Sequence, residues 1–128
     1  MNGERDLSTI LSTLDVIRRP GTYVYVSPAH QAVPGAVATI VENEATTSIV
    51  ELETAERLEL EWTFPSAWLT IDVRTALDGV GLTAAVSTAL AEAGIACNML
   101  AGRYHDHLLV PVGRADDAIA VLLSLRTA

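Results

Sequence analysis

A single cysteine, Cys97, is all the thiol chemistry in these 128 residues. One sulfur excludes an internal disulfide and fits a reducing compartment. Aromatic residues are also scarce at 5%, so any core has to be aliphatic and alanine-rich. Positive charge is short as well: 8 Lys and Arg face 16 Asp and Glu, a formal net charge of −8. Such a surface repels phosphate backbones and anionic lipid, which argues against nucleic acid or a membrane as partner. It leaves room for a small anion, because backbone amides act locally whatever the net charge. No apolar run approaches the roughly 20 residues that a bilayer span needs. The opening Met1-Asn2-Gly3-Glu4-Arg5-Asp6 lacks a basic region leading into an apolar run, so no secretory signal is expected. The expectation is a soluble, cytoplasmic protein.

What the chain does have is hydrophobic residues, half of its length. That is material for about one ordinary domain, or two very small ones packed together. Asp6 or Ser8 can cap a helix running to about Val16, with Leu7, Ile10, Leu11 and Leu14 on one face. Arg18, Arg19, Pro20 and Gly21 read as its end. Thr22–Val26 is a β-branched and aromatic run and reads as a strand. Residues 28–35 read as a loop. Ala36–Glu42 and Thr47–Leu52 read as strands joined by a short hairpin at Asn43-Glu44-Ala45. Thr54–Leu60 reads as one or two helical turns, and Pro65 as a boundary near the middle.

The second half has stronger periodicity. Trp68–Val73 places Leu69, Ile71 and Val73 on one face of a strand. Ala76–Gly81 is a glycine-containing turn. Leu82, Ala85, Val86, Ala89, Leu90 and Ala93 then follow helical spacing, and Gly94 stands where a left-handed cap is wanted. Ile95–Ala101 reads as a strand with Ile95, Cys97 and Met99 on one face and Ala96, Asn98 and Leu100 on the other. Gly102–Asp106 is a turn and His107–Val112 a strand. A last helix follows, with Asp116 and Asp117 at its positive end, Arg126 at its other end, and Ala115, Ala118, Ile119, Leu122 and Leu125 inward. The order strand, helix, strand, strand, helix is most of a split βαββαβ pattern. Its last strand is not found after the final helix. The first half reads as a degenerate companion, and strands missing from one half could be supplied by the other, for example around Trp62.

The run Gly79-Val80-Gly81-Leu82-Thr83-Ala84-Ala85-Val86, with Ala91-Glu92-Ala93-Gly94-Ile95, resembles the ACT domain. Asn98, Ala101-Gly102 and Tyr104-His105-Asp106-His107 extend the likeness to small bacterial stand-alone proteins built of two ACT-like halves. The resemblance implies an α+β, ferredoxin-like fold of two such halves, residues 1–65 and 66–128, each an antiparallel sheet with helices on one face. It implies a regulatory module without enzymatic activity, which binds an amino acid or another small ligand. It places the pocket where the first strand–helix turn of one unit faces a neighbour, at Val80, Gly81, Leu82 and Thr83. The first half lacks the glycine-turn signature, which leaves open a second equivalent site.

Read as chemistry, the Asp78–Thr83 turn enters a helix whose first N–H groups have no intrahelical partner. They can take a ligand carboxylate, with Gly81 permitting close approach and Thr83 offering a hydroxyl. The plain alternative is an ordinary solvated turn. Asn98, mid-strand among apolar residues, either reads a ligand or bonds to backbone at a sheet edge or subunit contact. Tyr104, His105 and His107 read as a polar hairpin or the rim of the pocket. His105 and His107 could share a metal, but a closed zinc site needs about four ligands and nothing fixes His30 or Cys97 nearby. No metal or cofactor is therefore expected. Cys97 reads as core rather than nucleophile. Trp62, Phe64 and Trp68 read as packing between the halves, and Glu51, Glu53, Glu56, Glu59 and Glu61 as a solvated face. Three functions stay open: a ligand sensor, with a homodimer and a separate protein partner implied; a structural dimer module pairing through Ala96, Asn98 and Leu100; and a small enzyme using His105 or His107 as base.

Overall fold

In the computed structural model, residues 6–73 and 81–127 are described. Helix α1 spans Leu7–Thr13, capped by Asp6, whose carboxylate accepts from the Thr9 amide. Strand β1 spans Val16–Val26, β2 Ala38–Val41 and β3 Thr46–Glu51. Helix α2 spans Leu52–Arg57 and β4 spans Thr63–Ile71. Helix α3 spans Leu82–Glu92, β5 Asn98–Ala101, β6 Asp106–Pro111 and α4 Ala115–Ser124. All six strands form one antiparallel sheet in the order β2-β3-β1-β4-β6-β5.

The two halves share their central strands. Tyr23–Val26 of β1 pairs with β3, whereas Val16–Arg19 pairs with Ile71–Trp68 of β4. Read outward from the centre, β2-β3-β1-β4 is one ferredoxin-like strand set and β1-β4-β6-β5 is the other. The strand that the second half lacks is thus the start of β1, not the stretch around Trp62. The first half in turn takes its fourth strand from the beginning of β4. Arg18-Arg19-Pro20-Gly21, expected to end a helix, lies inside β1. The chain tolerates the proline because β1 shifts register against β4 between Arg19 and Tyr23. Pro65 lies within β4.

The α1 helix ends three residues before Val16; its Ile10 and the C-cap residue Leu14 are buried in the core of the second half. That core lies between the sheet and α3 and α4. It contains Leu69, Ile71, Leu108 and Val110 from the strands and Leu82, Val86, Leu90, Ala118 and Leu122 from the helices. Each buried Leu or Val contributes roughly 1.5–3 kcal/mol before entropy is counted. Gly94 takes the left-handed conformation expected after α3, at φ 71°. Strand β5 starts at Asn98, later than the expected Ile95, but the faces are as expected: Ile95, Cys97 and Met99 join the helix-side core. A smaller core under α2 contains Val24, Val26, Val33, Val50 and Ala55. The face without helices also closes over a cluster, Tyr23, Ile49, Trp68 and Leu109, with Leu100 packed against it.

Candidate functional site

The expected residues fall on two sides of the sheet. On the helix side, Gly81 precedes α3 with a left-handed φ of 106°, a conformation that glycine adopts without steric cost. Leu82 turns into the core, Thr83 is exposed, and no side chain of residue 81 can cap the helix. Leu7 of α1 lies against this turn: a Cβ on Gly81 would stand 3.1 Å from Leu7 Cδ2. The N-terminal helix therefore forms one wall beside the first amides of α3. Asp78 and Val80 lie outside the described residues.

On the other side, His107 extends from β6 opposite Thr70 of β4, and the Thr70 Oγ1–His107 Nδ1 distance is 2.9 Å. Its ring lies 5.5 Å from that of Trp68. Burial lowers the His107 pKa from its ordinary value; the neighbouring His105 and, more weakly, Arg19 act in the same direction, and Asp106 opposes them. Neutral imidazole is the resulting form near pH 7. His107 and Trp68 line a cleft of about 290 Å3 between the edge strands, with Ala38 and Ile40 from β2 and Leu100 from β5. Gly102 borders it closely, since a Cβ there would stand 3.2 Å from His107 Nε2. His105 points elsewhere, with Nε2 3.6 Å from Asp72 Oδ1. Tyr104 is exposed beneath the Arg103 guanidinium, and Asn98 is exposed at the start of β5 rather than buried.

These positions bear on the catalytic alternatives. Cys97 packs against the helix-side core, and burial raises its pKa. His107 lies on the opposite face, so the two do not form a thiol–imidazole pair. Among the described residues, no three His, Cys, Asp or Glu side chains are grouped to hold a metal. Of the face expected to pair with a second copy, Leu100 packs partly on the cluster of Tyr23, Trp68 and Leu109, and Ala96 and Asn98 are exposed. No helix among the described residues is long and apolar enough to cross a membrane.

One region had no counterpart in the sequence reading. A larger cleft of about 620 Å3 opens beside the end of β1, walled by Tyr25, Thr47 and the segment from Leu60 to Thr63. Trp62 at its lip keeps 40% of its surface exposed. The available signal was a tryptophan set in a run of glutamates, which reads more simply as packing.

Comparison with known proteins is decisive for the family. One ACT-domain model matches residues 2–67 and a second matches residues 63–124. The chain belongs to the ACT-domain family. A Vibrio cholerae protein described as of unknown function and a possible transport protein shares 32% identity with this ACT protein, at a TM-score of 0.85. That match covers 96% of this chain and 98% of the other. An Agrobacterium tumefaciens protein superposes at 0.74 with 16% identity, covering 88% and 89%. The ligand-free regulatory subunit of aspartate kinase from Thermus thermophilus superposes at 0.58 with 13% identity, covering 86% and 95%. At those identities the last two share the fold with this ACT protein. No curated protein matches the chain.

Proposed function

We propose that this ACT protein is a non-catalytic regulatory module that binds a small ligand, an amino acid foremost, at the opening of α3. The carrying observation is the left-handed Gly81 turn, which leaves the α3 amides without a side-chain cap from that residue and with Leu7 as a wall. Such amides carry partial positive charge and suit a carboxylate. Thr83 is exposed one residue into the first turn, where its hydroxyl can reach the same group. Asp78 and Val80 belong to this proposed site by their place in the sequence. The histidine side, with His107, Tyr104 and Asn98, lies apart and would act on a ligand only through the sheet or a second copy.

Regulation requires that the ligand favour one of two states. In this reading the states differ in how α1 packs on α3, and a homodimer partner or a separate cytoplasmic protein reads the difference. A thermal-shift panel of the twenty amino acids tests the proposal. A ligand present at about 100 times its dissociation constant should add about 2.7 kcal/mol of stability. A selective shift by one amino acid supports the reading. A flat panel removes the amino acid from it.

A further inference from the structure

We propose that the cleft beside Trp62 is a second binding site, separate from the α3 turn, and that its ligand is a small organic cation. Its walls set the chemistry. Trp62 and Tyr25 present aromatic rings, Ser27, Thr47 and Thr63 add hydroxyls, and Glu61 supplies a carboxylate. Glu42 accepts a hydrogen bond from the hydroxyl of Thr47, one of the lining residues. Among the described residues no arginine lines the cleft, and the chain contains no lysine. Aromatic faces with carboxylates and no competing cation attract an ammonium group through the ring quadrupole and through charge.

The backbone builds this wall at some cost. Glu59 and Phe64 both take left-handed conformations, at φ 55° and 57°, and they bracket the segment 60–63 that carries Glu61 and Trp62. Neither is glycine, so both positions are strained, and such strain persists where the surroundings hold it in place. Here Phe64 is held by the Tyr25 ring, edge-on at 6.0 Å. Strand β4 meets β1 through a register shift between Tyr23 and Tyr25, and Tyr25 lines the cleft while also packing edge-on against Phe64.

Calorimetric titration of the full chain with choline and with its uncharged isostere 3,3-dimethyl-1-butanol tests this. Choline should bind at least about tenfold more tightly, the scale of a desolvated cation–π contact. Trp62→Leu should abolish choline binding, Trp62→Phe should retain most of it, and Glu61→Gln should weaken it several-fold, on the order of a surface charge pair. Thr83→Asp should leave it unchanged, which separates this site from the α3 reading. Melting curves would confirm that each variant is folded. Equal affinity for the uncharged isostere, a preference for a neutral sugar such as glucose, undiminished binding by Trp62→Leu, or no choline binding at all would overturn the proposal.

Discussion

Tyr23 of β1 and Trp68 of β4 meet edge to face, with ring centroids 5.8 Å apart. Both are almost fully buried, and they join the two strands that serve both halves of the sheet. The Tyr23 hydroxyl donates to the Pro20 carbonyl at 2.6 Å, so the pair also pins the bulge in β1. Trp68→Ala should cost about 3–5 kcal/mol, of which the ring geometry accounts for about 0.5–1.5. Urea denaturation should still show one transition, because no strand boundary separates the halves. Two transitions in the wild-type protein would contradict this cooperativity.

The shared strands also bear on whether either half folds alone. Residues 66–128 lack the start of β1, and they lack Ile10 of α1 and Leu14 at its C-cap, which complete their core. Arg126 further ties the ends together, donating from Nε to the Leu14 carbonyl at 2.6 Å. A peptide of residues 66–128 should therefore show little ordered circular dichroism, and mixing it with residues 1–65 should restore the signal. A cooperatively folded 66–128 fragment would show that the second half supplies its own sheet edge.

Gly81→Ala should destabilise the protein by about 1–2 kcal/mol, the cost of a left-handed conformation for an L-residue. Two causes are present, the φ of 106° and the approach of Leu7. The Leu7 contact is the end of a flexible side chain, so backbone strain should dominate. In a double-mutant cycle with Leu7→Ala the coupling should stay below about 0.5 kcal/mol. A larger coupling would mean that steric contact with α1 controls the turn.

The pH dependence follows from His107. Its folded pKa is depressed below 6.5, first by burial, so the unfolded chain binds the proton more readily. Its contribution is whole above 6.5 and is lost as pH falls through that value toward the folded one. Asp106, whose pKa burial raises from 3.8, acts with the opposite sign in a more acidic window: its contribution is lost as pH rises through the folded value. Melting temperature should fall as pH drops below about 6.5, and His107→Gln should flatten that slope. An unchanged slope in the variant would assign the effect to other groups.

Much of this was legible in the sequence, and the reasons differ by residue. Helix α3 was readable because Leu82, Val86 and Leu90 repeat at one helical face and Gly94 ends it. The resemblance carried the family and the fold. The start of β1 was not readable. Arg18, Arg19, Pro20 and Gly21 have the local chemistry of a helix stop, and only pairing with Trp68–Ile71, some fifty residues away, makes the stretch a strand. Asn98 has apolar neighbours in sequence, and its place on an edge strand, one of the two settings its pattern allowed, leaves it exposed. For the candidate site, sequence spacing placed Gly81, Leu82 and Thr83 at one turn, and His107 lies beside Trp68 on the other face of the sheet. The Trp62 cleft depends on two left-handed residues, Glu59 and Phe64, whose side chains give no hint of that conformation.

The most direct test of the regulatory reading is calorimetric titration of the strongest amino acid from the thermal panel into wild-type protein and into Thr83→Asp. A carboxylate placed beside the α3 amides repels the ligand's own, so affinity should fall by about tenfold or more while the melting temperature of the unliganded protein changes little. Unchanged affinity in Thr83→Asp would contradict ligand capture at the start of α3.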